Sequence, residues 1–132
     1  MFEKYSESFL NNFDLLLEKF PDKKFITFKK DEILFTENSK VNEIYFILSG
    51  ELILTKKNET GEYEKVKISL SGDILGFNDA ITNSNHSVTA VTVKDTNTFS
   101  ISKIDLIKVI NKKDDFNLWA LKYLSKRISS HD

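Results

Sequence analysis

No cysteine occurs among the 132 residues, so the chain can build neither a disulfide framework nor a thiolate nucleophile or metal site. Histidine is nearly as scarce, with only His86 and His131. A metal-dependent enzyme of the cupin kind needs several inward imidazoles or carboxylates. No such set and no nucleophile–base pair is visible, so an enzyme is not expected. Arginine occurs once, at Arg127, which leaves the rest of the chain without the guanidinium fork that grips phosphates. Glycine is limited to four positions and proline to Pro21, and no Gly-, Pro- or Ser-rich tract marks a linker. No apolar stretch approaches the ~20 residues of a membrane span, and the amino terminus lacks a continuous apolar h-region. A cytoplasmic location without membrane contact is therefore expected. The net charge of −1 supplies no broad positive field for nucleic acid. Lys23, Lys24, Lys29 and Lys30 flank a strand and read as solvating edge lysines.

What is present is an ordinary core-forming balance, 40% hydrophobic and 30% charged with 11 Phe, in a length that fits one domain over 1–132. Phe2, Tyr5, Phe9, Phe13, Leu16, Leu17 and Phe20 recur every three or four residues and predict an N-terminal helix over 1–20, stopped by Pro21. From Lys24 the period shortens, and β-rich runs follow at 25–28, 33–35, 44–48, 52–55, 66–70, 87–93 and 96–101. Asn58 to Glu62 reads as the tip of a hairpin, so the pairing is antiparallel. Ser102 followed by Asp105 has capping-box form and opens an apolar-periodic segment, with a second helical segment beyond Lys112. The order predicts an α+β, mainly β fold: a double-stranded β-helix, or jelly roll, closed as a cupin-like barrel over 24–102. Flanking N- and C-terminal helices, the latter over 103–130, complete it.

Three segments carry a resemblance: Phe28 to Phe35, Asn42 to Leu52 with Tyr45-Phe46-Ile47 leading into Ser49-Gly50-Glu51, and Leu70 to Gly76 with Gly72-Asp73-Ile74-Leu75-Gly76. Together they resemble the cyclic nucleotide-binding domain of Crp/Fnr-type regulators over roughly 25–110. Where that family commonly has a glycine before the Tyr-Phe-Ile strand, this chain has Asn38, which tolerates a left-handed backbone. The resemblance implies a jelly roll holding a cyclic nucleotide against a short helix. Backbone N–H groups and one Arg bind the phosphate there, and a Glu accepts the ribose hydroxyl. The ligand-binding segment so implied is Ile74, Leu75, Gly76, Phe77 and Asn78, then His86, Ser87 and Val88.

Within that cassette the chain departs from the family pattern. Phe77 stands at the position of the ribose-binding Glu, and His86 at that of the phosphate-binding Arg. An imidazole with an ordinary pKa of about 6.5 is mostly neutral at pH 7 and makes no bidentate fork. Asp79 adds a carboxylate that repels phosphate unless it faces water or caps the short helix. A cyclic nucleotide is thus disfavoured, and no cofactor is assigned. His86 also reads as a plain surface or hydrogen-bonded residue, and Phe77 as a ring filling the vacated pocket. Two functions compete: a regulatory module sensing a small-molecule or nucleotide ligand, and a ligand-free structural or protein-interaction module. Phe116, Trp119 and Tyr123 on the last helix are candidate homodimer contacts. The sequence ends at Asp132 without the ~70 residues of a winged helix-turn-helix, so direct DNA binding is not expected.

Overall fold

The computed structural model describes Glu18 and residues 20–112. The proposed N-terminal helix, apart from its last residues, lies outside that range, as do Phe116, Trp119 and Tyr123. Among the described residues there are eight strands: β1 (Lys24–Phe28), β2 (Ile33–Phe35), β3 (Glu43–Ser49), β4 (Glu51–Lys57), β5 (Tyr63–Leu70), β6 (Ile74–Leu75), β7 (Thr89–Thr92) and β8 (Thr96–Ser102). Two helices join them, α1 (Phe77–Ile81) after β6 and α2 (Lys103–Ile110) after β8.

The strands form two four-stranded sheets, β1-β8-β3-β6 and β2-β7-β4-β5, paired antiparallel throughout. This is a jelly-roll-like sandwich, not the closed barrel that the sequence suggested. Closure needs continuous ladders at both seams. Here β6 has only two residues, and β2 has three with a register shift between Ile33 and Phe35.

Alternation along β3 divides the interior into two layers, because successive side chains point to opposite faces. Tyr45 and Ile47 face the second sheet, where Ile47 joins Leu52, Leu54, Leu75 and Ala90 in the core between the sheets. Ile44 and Phe46 face the other way, into a layer with Phe99, Ile101 and the helix residues Ala80, Leu106 and Val109. Phe46 and Phe99 stack there with centroids 4.4 Å apart. Ser102 caps α2, its hydroxyl accepting the Asp105 N–H at 3.0 Å. The hairpin tip holds itself closed: Asn58 Oδ1 accepts the N–H groups of Thr60 and Glu62, both at 3.0 Å.

Candidate functional site

The cassette begins where β6 ends. Gly76 takes a left-handed backbone (φ 88°, ψ −5°) and turns the chain from β6 into α1. A Cβ there would lie 3.4 Å from both the Glu43 carbonyl oxygen and His86 Cε1, an ordinary contact, so it is the left-handed backbone that favours glycine.

His86 is the centre of the arrangement. Its backbone is pinned to the β2–β3 loop, donating N–H to the Ser39 carbonyl at 2.9 Å and accepting the Asn38 N–H at 2.8 Å. Asn38 has φ 70°, the left-handed conformation expected of it. The His86 side chain is only 3% exposed and lies flat on Phe35, centroids 3.8 Å apart and planes 10° apart. Its Nδ1 is buried without a hydrogen-bond partner. Burial pushes the imidazole pKa down from its usual 6.5, and the Asp79 carboxylate pulls the other way. The ring is therefore neutral at neutral pH and buried, not the surface residue that was one reading of the sequence, while the backbone is hydrogen-bonded on both sides.

Asp79, in the first turn of α1, turns towards the strand that follows the cassette. One of its carboxylate oxygens accepts both the N–H and the hydroxyl of Ser87, each at 3.0 Å. The Asp79 carbonyl accepts the Ser84 N–H at 2.8 Å, and Lys103 Nζ donates to Asn83 Oδ1 at 2.8 Å, tying the α1–β7 loop to α2.

The predicted cassette residues divide between the two layers. Leu75, Gly76, His86 and Val88 gather at the end of the core between the sheets. Ile74 and Phe77 point away, into the helix layer. Phe77 is 4% exposed there, packed in the layer that holds Phe46 and Leu106, so it does not fill the space between the sheets. Asn78 is exposed, and its carbonyl accepts the N–H and hydroxyl of Thr82.

Beside His86 and Phe35 opens a cavity of about 510 Å³, also lined by Lys40, Asn42, Glu43 and Tyr45. Burial and the nearby Glu43 carboxylate raise the Tyr45 phenol pKa. Glu43 itself accepts the Ser100 hydroxyl at 3.3 Å and meets Lys24 Nζ at 3.6 Å. These lining residues were not singled out as site residues from the sequence. Their signal was the polar β2–β3 loop abutting an aromatic strand.

The sequence pattern of the family described as cyclic nucleotide-binding domain matches residues 25–113. This chain belongs to that family. The domain is similar to the anaerobic regulatory protein of Pasteurella multocida, 38% identical over 58 residues, which are 44% of this chain and 21% of that protein. It thus spans about a fifth of that relative's length. Among solved structures, it is similar to the c-di-GMP-responsive global regulator CLP of Xanthomonas campestris. The TM-score is 0.78 and the identity 13%, over 92% of this chain and 58% of that one. It is also similar to the regulatory subunit of a cAMP-independent protein kinase A from Trypanosoma brucei, a mutant bound to cAMP. There the TM-score is 0.59 and the identity 15%, over 76% of this chain and 40% of that one. Among the described residues no cluster of His, Asp or Glu could hold a metal ion, and no helix is long and apolar enough to cross a membrane.

Proposed function

We propose that this domain is a regulatory module of the cyclic nucleotide-binding type whose cassette does not take up cAMP or cGMP. The observation that carries this reading is the pair of bonds from Ser87 to Asp79. Ser87, next to the position of the phosphate-binding Arg in the family resemblance, offers a backbone N–H and a hydroxyl as donors. Here those donors already hold an internal carboxylate, which acts as a built-in anion. A phosphate entering the cassette has to displace Asp79, meets its charge, and finds a neutral imidazole where a guanidinium would repay the desolvation. Two likenesses fit such a change: one relative of this fold is described as responsive to c-di-GMP and another as cAMP-independent, and a shared fold leaves ligand choice to the site.

A second reading, a sensor for a neutral or zwitterionic polar molecule, is favoured by the cavity beside His86, which offers Lys40, Glu43 and Asn42 over aromatic walls. Thermal unfolding with cAMP, cGMP and c-di-GMP tests the proposal. No shift with the cyclic mononucleotides is the expected result. A ligand at about 100 times its Kd would add about 2.7 kcal/mol, and such a gain with cAMP or cGMP sinks the reading.

A further inference from the structure

The outer face of the second sheet is apolar where a solvated antiparallel sheet is ordinarily polar. Ile33 on β2, Val91 on β7, Ile53 on β4 and Ile68 on β5 stand in register, one from each strand, and form a row across the whole sheet. Ile33 is 55% exposed, Ile68 42%, and Leu70, next along β5, 50%. The inward partners of these strands, Leu52, Leu54 and Ala90, are already buried against the first sheet. The outer row is therefore a second apolar surface, not a misassigned core. A groove of about 460 Å³ runs beside it, lined by Ile33, Val91, Thr55, Tyr63 and Lys57. Contiguous exposed apolar surface with a polar rim marks an interaction site.

The rim charges select the occupant. Outward positions on β4 and β5 place Glu51 beside Leu70 at one end of the strands, and Lys65 beside Thr55 and Lys57 beside Tyr63 at the other. Glu32, whose carbonyl accepts the Thr92 N–H, stands at the acidic end, its carboxylate accepting the Lys29 backbone N–H. Glu37 stands at the basic end, its carboxylate accepting the Lys57 backbone N–H at 3.0 Å, so two lysines there outnumber one carboxylate. A face that is apolar across its middle, basic at one end and acidic at the other is complementary to itself. A two-fold axis along the apolar row lays each row on its copy and brings the Lys65 end of one chain over the Glu51 end of the other. An axis along the strands would instead oppose lysine to lysine.

We propose that this face is a self-association surface on which a second copy of the chain packs sheet against sheet about that two-fold axis. Strands about 4.8 Å apart, seven and eight residues long in β4 and β5 but only four and three in β7 and β2, give a face smaller than roughly 19 by 23 Å. That size belongs with the smaller interfaces, below about 1,200 Å² in total, so the dimer is reversible and weak.

Sedimentation equilibrium of the full chain between about 5 µM and 1 mM tests this. A saturating monomer–dimer equilibrium is expected, with Ile68→Lys raising the dissociation constant at least about tenfold, equivalent to about 1.4 kcal/mol. Glu51→Lys and Lys65→Glu should each weaken the dimer, and the double variant should restore it. Circular dichroism and the melting temperature establish that each variant is folded. A wild-type chain that stays monomeric, or that associates without saturating, overturns the proposal. So does a dimer indifferent to Ile68→Lys, which belongs to another surface, or a double variant no better than its parents.

Discussion

His86 lies parallel to Phe35 at a centroid distance of 3.8 Å, and the stack holds an imidazole whose Nδ1 has no partner. The family resemblance implies a phosphate-binding Arg at this position. Here the geometry suits only the neutral ring, because a charged imidazole on that site would be buried with one N–H unsatisfied.

A pH dependence of stability follows, and its sign is fixed by the direction of the shift. The folded-state pKa of His86 is lowered from 6.5, so just below pH 6.5 the unfolded chain binds a proton that the folded chain refuses. Stability from the neutral stack is complete above about pH 6.5 and is lost as pH falls from there through the folded pKa. Urea midpoints between about pH 5 and 8 should fall on the acid side. The fall should be shallower in His86→Phe, which keeps a ring on Phe35; an unchanged slope in that variant would remove His86 as the cause.

Asp73 organises the β5–β6 turn that sets the level of the cassette. Its carboxylate accepts the Leu70 N–H at 3.0 Å and the Ser69 hydroxyl at 3.1 Å, and meets Lys67 Nζ at 3.6 Å. Asp73→Ala should lower stability by about 2 kcal/mol, since bonds to a charged acceptor contribute about 1.5–3 kcal/mol and this one is partly solvated. Asp73→Asn should lose less. Denaturant unfolding of both variants checks the order.

These turn residues also explain what was legible in the sequence. Gly72-Asp73 and Asn38 act through their own backbone or immediate neighbours, so residue type reported their role directly: Gly72 has φ 92° and Asn38 φ 70°. The strands were readable for the same reason, being fixed by a local two-residue period. Phe77 was not. A five-residue helix has too little periodicity to show which side it buries, and only the packing of α1 on the first sheet sends Phe77 into the helix layer. The burial of His86 was equally hidden, because Phe35, Ser39 and Asn38, which enclose it, lie about fifty residues earlier in the chain. Separation into two sheets in place of a barrel depended on strand lengths of two and three residues, below what composition reveals.

Restoring the family's carboxylate at position 77 should harm the protein. The Phe77 side chain is buried in the apolar cluster that also holds Ile44, Phe46 and Leu106. Phe77→Glu should cost more than about 3 kcal/mol, from lost apolar contact and a buried carboxylate. It should give no gain in cAMP binding. A variant as stable as wild type would show that α1 rotates freely enough to expose this side chain.

Gly50 connects β3 to β4 with φ 113°, and a Cβ built there would lie 2.6 Å from Thr96 Cα. The obstruction is backbone at the start of β8 and cannot turn aside, so the β3–β4 turn and β8 must move apart. Gly50→Ala should be among the most damaging single substitutions, above about 3 kcal/mol, combining a disfavoured φ with overpacking. Gly76→Ala shares the positive φ, but its neighbours stand at 3.4 Å, so it should cost about half as much. Thermal melts of the pair should rank them in that order.

The Asp79–Ser87 contact can be opened selectively. Asp79→Ala removes the acceptor of two bonds in a half-exposed setting, for which about 1 kcal/mol is a reasonable loss. It also frees the Ser87 N–H and hydroxyl and deletes the charge that opposes anions. Adding His86→Arg supplies a fixed cation in the same cassette. If an internal carboxylate is what closes the site, phosphate and then cAMP should stabilise the double variant measurably, the single Asp79→Ala variant less, and the wild type not at all. Calorimetry on the three proteins reads this directly. Equal silence in all three would mean that the helix-layer packing of Phe77, and not Asp79, sets the limit.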